Sequence, residues 1–190
     1  MREKLAIFGG PKVIPNAFPR YNPYGEEEAQ AALEVVQSGV LSKFIGAWHE
    51  DFYGGEKVRE FEKAWEDFFQ VKHAVSVNSA TSGLIAALGA VGVEPGDEVI
   101  VSPWTMAASA TAILVWNAIP VFVDIEQDSF NLDPGLLEKY ISPLTKAIVV
   151  PDIFGQAAAL DEIMKIAGKH KIKVIEDAAQ APGARYKEKY

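Results

Sequence analysis

Three polar segments of this sequence follow apolar runs and could do chemistry, and the first is Asn78–Gly83. It opens a predicted helix, where free N–H groups and the helix dipole favour an anion. Its small side chains let a phosphate approach the backbone, and the Thr81 and Ser82 hydroxyls can donate hydrogen bonds to it. Ordinary N-capping by Ser79 or Thr81 explains the same residues. The segment is neither a Walker loop nor a dinucleotide-binding glycine motif.

The second segment is Glu176–Gln180, which follows another apolar run. The carboxylate of Asp177 can hold a protonated ring nitrogen through a charge-assisted hydrogen bond, and this bond keeps the nitrogen cationic. Taken alone, Asp177 is more simply interpreted as a cap for the next segment or as the partner of a surface lysine.

The third segment is Ser102–Met106. Its Trp104 or Met106 can cover one face of a flat ligand, and either can equally be core filler, as most methionines are. The three histidines, His49, His73 and His170, do not have the spacing of metal ligands, so no metal is predicted.

From residue 73 onwards, short apolar runs alternate with helical patterns. The predicted strands are Ala74–Val77, Val99–Val101, Pro120–Val123, Ala147–Val150 and Ile172–Ile175. The predicted helices are Thr81–Leu88, Ala107–Val115, Leu136–Ile141 and Leu160–His170. This alternation predicts an α/β fold with a mostly parallel sheet and helices on both faces. Ligands of such sheets bind at the carboxyl ends of the strands, where all three polar segments lie.

The first third of the chain does not show this alternation of strands and helices. Glycines and prolines make residues 9–25 an irregular arm, and Glu26–Gln37 has the apolar spacing of a helix. Residues 39–55 form a glycine-rich loop with aromatic side chains, and a second helix is predicted at Val58–Phe69. We therefore predict two parts, with the arm, helix and loop at 1–56 and the α/β domain at 57–190.

Composition excludes several classes of function. The chain of 190 residues has 26 acidic and 18 basic residues and a net charge of −8, which argues against nucleic acid or an anionic membrane as a partner. Without cysteine there are no disulfides or thiolate sites, which fits a reducing compartment. The longest apolar stretch, near Ala107–Val115, is far shorter than the ~20 residues of a membrane span. No signal peptide follows Met1–Lys4, and the sequence predicts a cytoplasmic protein.

Several motifs, in order along the chain, resemble the DegT/StrS-type aminotransferases, a family that depends on pyridoxal 5′-phosphate (PLP) and acts on nucleotide sugars and cyclitols. The motifs are Gly39–Val58, Val77–Leu84, Pro95–Val101, Pro120–Asp124 and Glu176–Ala181. The resemblance implies the large domain of a fold-type-I PLP transferase, present here only in part. It also implies two small-molecule substrates, an amino-acid donor and a keto-sugar or keto-cyclitol acceptor, and a homodimer whose active sites lie between two subunits. Three aromatic residues of the glycine-rich loop are then expected near the dimer interface: Phe44, Trp48 and Phe52.

The resemblance also implies a role for each site residue. Thr81, Ser82 and the Ala80 backbone would hold the cofactor phosphate, and Asp177 would pair with the pyridinium nitrogen. Gln180 would lie against the ring and its phenolic oxygen. Two positions depart from the family: Met106 stands where a ring-stacking aromatic is usual, and Asp152 stands where a histidine often precedes the Phe154-Gly155 turn.

The resemblance places the Schiff-base lysine beyond Tyr190, after the segment Gly183–Tyr186, so no catalytic residue is predicted within this chain. The chain then corresponds to the N-terminal half of an aminotransferase and is not expected to transaminate alone. One alternative is a catalytically inactive, regulatory or scaffolding member of the family, and another is a split polypeptide that only binds the cofactor phosphate. A nicotinamide-dependent oxidoreductase is disfavoured because no glycine fingerprint follows a predicted strand.

Overall fold

The computed structural model describes residues 4–190. The chain divides into two compact units, Met1–Gly55 and Glu56–Tyr190, and each is described by itself. In the first unit, an irregular arm contains a short 3-10 helix at Ala6–Phe8, and another lies at Glu50–Tyr53. Between them, α1 spans Glu26–Gln37, as predicted.

The start of α1 is fixed by its own acidic first turn. The side chain of Glu28 accepts a hydrogen bond from the N–H of Gly25 at 2.7 Å, which closes the N-terminus of the helix. This bond lowers the pKa of the Glu28 carboxyl group. The glutamates at the start of α1 therefore cap the helix and favour its dipole.

The second unit is an α/β domain, and its sheet has the strand order β2-β1-β3-β4 with every neighbouring pair parallel. Its helices are α2 (Glu56–Phe69), α3 (Ala80–Ala90), α4 (Ala107–Val115), α5 (Pro134–Tyr140) and α6 (Leu160–His170). Its strands are β1 (Glu98–Val101), β2 (Ile119–Phe122), β3 (Thr145–Pro151) and β4 (Lys173–Asp177). The predicted α/β class with a parallel sheet is confirmed.

Helices cover both faces of this sheet, as predicted. Alternate strand residues point to opposite faces, so Val149 packs with α3 and α4, whereas Ile148 packs with α5 and α6. The first core also contains Leu84 and Leu88 of α3, Ile113 of α4 and Ile175 of β4. The second contains Leu132, Leu137, Val150 and Ile163. The central strands β1 and β3 are therefore mostly buried between two helical layers, as a parallel sheet requires, whereas the edge strand β2 stays partly exposed.

One predicted strand is wrong, because Ala74–Val77 forms no strand and does not join the sheet. The N–H and hydroxyl of Ser76 donate to the Glu62 side chain at 2.7 and 2.9 Å instead of to another strand. Val75 remains 81% exposed. A strand is defined by its neighbour, and among the described residues this segment has none, so the sheet has four strands rather than five.

The bounds of the remaining elements were predicted to within two residues. The largest difference that has a local cause is at α5, which begins at Pro134 and not at Leu136. Asp133 caps this helix by accepting a hydrogen bond from the N–H of Gly135 at 2.8 Å, and proline is favourable at the first helical position. Within residues 4–190, no helix combines the length and apolar character that a membrane crossing needs.

Candidate functional site

Asp177 is the last residue of β4, and its carboxylate is held at both oxygens. The Ser109 hydroxyl of α4 donates to Oδ2 at 2.7 Å, and the N–H of Ala179 donates to Oδ1 at 3.3 Å. Asp177 lies two residues after Ile175, so the two side chains share the sheet face that α3 and α4 cover. The structure thus places this carboxylate at the carboxyl end of the sheet, on a defined face.

The N-terminus of α3 lies on that same face and at the same edge. Because α3 leads through a short turn into the start of β1, its last residues lie at the amino edge of the sheet and its first residues at the carboxyl edge. Leu84, in the second turn of α3, belongs to the same core as Ile175. The segments of Thr81 and Asp177 therefore share one face and one edge of the sheet. The strand that was predicted before Thr81 is absent.

Ser79 is the N-cap of α3, as the simpler interpretation of this segment predicted. Its hydroxyl oxygen accepts from the N–H of Ser82 at 3.2 Å, and its carbonyl accepts from the N–H of Gly83 at 3.0 Å. The N–H groups of Ala80 and Thr81 have no partner in the part of the chain that the structure describes. Capping and anion binding are therefore compatible, because they use different N–H groups.

Ser109 was missed by the sequence analysis. It is fully buried, and its hydroxyl also lies 2.9 Å from that of Thr105, one turn earlier. The sequence did contain an indication of this role, since Ser109 shares its helix face with the buried Ala112 and Ile113. A hydroxyl on an apolar helix face needs a partner, which indicates a polar group nearby on the sheet.

The connection from β1 to α4 is exposed. Trp104 is 51% and Met106 67% accessible, so the interpretation of either residue as core filler is wrong. Met106 is the N-cap residue of α4, and its carbonyl accepts from the N–H of Ser109 at 3.0 Å. Met106 is thus one helical turn from Ser109, the residue that contacts Asp177.

The profile of the DegT/DnrJ/EryC1/StrS aminotransferase family matches residues 24–190. The chain belongs to this family. SpsC, a spore coat polysaccharide biosynthesis protein of Bacillus subtilis, is 43% identical over 165 residues, which are 87% of this chain and 40% of SpsC. L-glutamine:2-deoxy-scyllo-inosose aminotransferase of Micromonospora echinospora is 37% identical over 185 residues, 97% of this chain and 43% of that enzyme.

The fold of this chain is also similar to that of a solved structure. NtdA from Bacillus subtilis, with bound cofactor PMP, matches with a TM-score of 0.75 and 30% identity over 83% of this chain and 34% of NtdA. The predicted resemblance and the fold class, part of a fold-type-I PLP transferase, are both confirmed. The chain spans about 40% of the length of the curated relatives it matches.

Gln180, a further predicted contact of the cofactor in this aminotransferase family, lies just beyond β4. Its side-chain oxygen accepts a hydrogen bond from the N–H of Phe154 at 3.3 Å, and the residue is exposed. Gln180 thereby ties the segment after β4 to the turn after β3, at the carboxyl edge of the sheet. Its contact with a cofactor ring stays a prediction.

Asp152, where the resemblance implies a departure from the family, lies on the other face of the sheet from Asp177. Asp152 is buried, and its carboxylate accepts from the N–H of Ala158 at 2.9 Å. Glu176 alternates with Asp177 and is an exposed residue, but its carboxyl group approaches Asp152. Burial of that carboxyl group, together with the neighbouring Asp152, raises the pKa of Glu176 to about 7. Of the two adjacent carboxylates, Asp177 alone shares a face with the start of α3.

Proposed function

We propose that this chain is the cofactor-binding portion of a PLP-dependent aminotransferase, which moves an amino group from an amino-acid donor to a keto-sugar or keto-cyclitol. Membership of the family and the activity named for the Micromonospora enzyme support this function. The observation that carries it is the Asp177 carboxylate, fixed by Ser109 on the face and edge of the sheet where α3 begins.

The residues at this edge fit a phosphorylated pyridine. The N–H groups of Ala80 and Thr81, with the hydroxyls of Thr81 and Ser82, would bind the phosphate. Asp177 would bind the ring nitrogen, and Met106 and Gln180 would contact the ring. When bound, PLP supplies an electron sink for the carbanion formed at the donor's α-carbon.

Asp177 has the chemistry needed at the ring nitrogen. A carboxylate accepts a short, charge-assisted hydrogen bond from a protonated nitrogen and so favours the protonated form. Its two oxygens already accept one bond each, from Ser109 and Ala179. A carboxylate has about four lone-pair sites, so Asp177 can accept a further bond without losing those that orient it.

We also propose a homodimer, in which residues 1–56 contribute to the contact between subunits and 57–190 form the cofactor-binding domain. In the glycine-rich loop, Phe44 is 61% and Trp48 89% exposed, and Trp48 stacks on Phe52 at 5.3 Å between ring centroids. Exposed aromatic clusters of this kind are typical of interaction sites. A cytoplasmic location is proposed because a chain without cysteine needs no oxidising compartment for its fold.

Binding of pyridoxamine 5′-phosphate (PMP), measured by equilibrium dialysis, tests the cofactor site. Asp177→Asn should weaken binding by roughly 10- to 100-fold, as expected for the loss of a charged hydrogen-bond partner. Glu176→Gln is the matched control, since this neighbouring carboxylate lies on the other face, and it should leave the affinity unchanged. Absence of saturable binding, or equal effects of the two substitutions, would contradict the proposal.

Amino transfer is tested separately, with the complete product of the gene that encodes this chain. Glutamine or glutamate is supplied as the donor and a keto-inositol or keto-sugar as the acceptor, and the 2-oxo acid product is measured. We expect product only when donor, acceptor and PLP are all present. No product with any acceptor of either class would overturn the proposed reaction.

A further inference from the structure

Ser109 is unusual within α4 because its hydroxyl bonds to a distant residue and not to its own helix. Ser109 is the third residue of α4, and a serine in a helix can donate to the carbonyl four residues earlier. Ser109 is fully buried and instead donates to Asp177, which is 68 positions away in the sequence, at 2.7 Å. The requirement for a hydrogen bond in the core does not by itself explain this choice of partner.

The hydrogen bonds that link Thr105, Ser109 and Asp177 have a definite direction, because each hydroxyl group has a single proton to donate. An ionised carboxylate only accepts, so the single hydroxyl proton of Ser109 is used on Asp177. The contact of 2.9 Å between the two hydroxyls must then have Thr105 as its donor. The three side chains form one directed series, in which each bond polarises the next.

We propose that Ser109 is a positioning residue for Asp177, with Thr105 as its support, and this proposal rests on the cofactor-binding function given above. The Ser109 bond and the Ala179 N–H fix the rotation of the carboxylate from two sides. A fixed carboxylate presents its remaining lone pairs in one direction, and no reorientation is needed when a pyridinium nitrogen binds. Ser109 itself need not touch the cofactor.

The test compares two probes, PMP, which has a ring nitrogen, and benzyl phosphate, which has none. Ser109→Ala should weaken PMP binding by roughly 5- to 10-fold, less than the removal of a charged partner itself would, and leave benzyl phosphate binding unchanged. Thr105→Val removes only the donor to Ser109 and should have a smaller effect of the same kind. Ser102→Ala is the matched control, because Ser102 is also buried and, within residues 4–190, its hydroxyl bonds only to the Trp104 backbone.

A second readout reports the ring nitrogen directly. In PMP labelled with ¹⁵N in the ring, the chemical shift of bound PMP should move from the pyridinium value toward that of neutral pyridine in Ser109→Ala and Thr105→Val. It should not move in Ser102→Ala. A purely structural role of Ser109 would not change this shift selectively.

The outcomes separate the two proposals. If the unaltered chain binds neither probe, the cofactor-binding function fails, and the role of Ser109 fails with it. If the chain binds PMP but Ser109→Ala has the same affinity and the same ¹⁵N shift, only the positioning role is overturned. An equal loss of affinity for PMP and benzyl phosphate would also overturn it, since such a loss indicates a general disturbance of the fold. Should Ser109→Ala not fold, Thr105→Val gives the same comparison.

Discussion

Asn131 accepts a hydrogen bond from the backbone N–H of Ile153 at 2.9 Å, and its amide nitrogen donates to the carbonyl of Gln156 at 3.0 Å. One buried side chain thus holds both ends of the turn that follows β3. Within that turn Phe154 has a φ of 58°, a left-handed conformation that costs a non-glycine residue on the order of 1 kcal/mol or more. The Asn131 bonds stabilise a turn that is locally unfavourable.

Replacing Asn131 with alanine should therefore destabilise the domain strongly. The substitution leaves the buried Ile153 N–H without its partner, which costs about 1–3 kcal/mol. It also removes the partly buried hydrogen bond to the carbonyl of Gln156, at a further cost of about 1 kcal/mol. We expect the free energy of unfolding in urea to fall by about 2–4 kcal/mol. Gln127→Ala, which removes an exposed amide nearby, should change it by less than about 0.5 kcal/mol. Equal stabilities of the two variants would refute this interpretation.

Gly89 in α3 is constrained by the indole ring of Trp116, which donates its N–H to the Ile85 carbonyl at 2.9 Å. A Cβ added at Gly89 would lie 2.3 Å from a ring carbon of Trp116. Gly89→Ala should therefore lower the free energy of unfolding by about 1–2 kcal/mol, although alanine is the better helix former. Calorimetry or urea unfolding measures the change.

Gly168 in α6 provides the matched control for Gly89. It is also within a helix, and a Cβ added there meets no atom within 4 Å. Gly168→Ala should raise the free energy of unfolding by up to about 1 kcal/mol, the usual gain from this replacement in a helix. If both alanine variants are stabilised, the Trp116 ring is free to move and the packing argument for Gly89 is wrong.

Glu176 should make stability depend on pH in the neutral range. Its pKa is about 7 in the folded protein and 4.5 in the reference state, so the folded state binds this proton more tightly. The contribution of protonated Glu176 to the free energy of unfolding is complete below about pH 4.5 and is lost as pH rises through 7. Because Glu176 is an exposed residue, solvent screening reduces the effect, and we expect about 1–2 kcal/mol.

Glu176→Gln tests this dependence by unfolding in urea at pH 5 and pH 8. The neutral amide cannot lose a proton, so the variant should lose less stability between these two values than the unaltered chain. Glu162→Gln, on the exposed side of α6, is the control and should retain the original pH dependence. An unchanged dependence in Glu176→Gln would show that Glu176 is not the source of this pH dependence.

The elements that the sequence predicted well are those whose own residues determine them. α6 has the predicted bounds because its apolar spacing, its acidic first turn and its basic last turn all lie within the helix. The failed strand at Ala74–Val77 depends on a neighbouring strand, which its own four residues cannot specify. The face of Asp177, by contrast, follows from β-strand alternation once β4 is assigned.

The polar contacts that orient the site were harder to predict. Ser109 and Asp177 are 68 positions apart. The residues next to a single serine in a helix of small residues do not indicate which distant residue will be its hydrogen-bond partner. Asn131 presents the same difficulty, because it bonds to a turn more than 20 residues later. Such contacts depend on which helix packs on which strand, so they become visible only when the fold is known.

Met106 offers a direct test of the proposed contact between residue 106 and the cofactor ring, where the resemblance implies an aromatic residue in the family. Met106→Phe should tighten PMP binding by roughly 2- to 5-fold, because aromatic pairs contribute about 0.5–1.5 kcal/mol beyond burial and sulfur–aromatic contacts about 0.3–1.5 kcal/mol. Met106→Ala removes both kinds of contact and should weaken binding. Met164→Phe repeats the substitution at an exposed methionine of α6, on the sheet face opposite Asp177, and should leave the affinity unchanged. Fluorescence titration with PMP measures all four proteins, and equal affinities of the Met106 variants would exclude residue 106 from the ring contact.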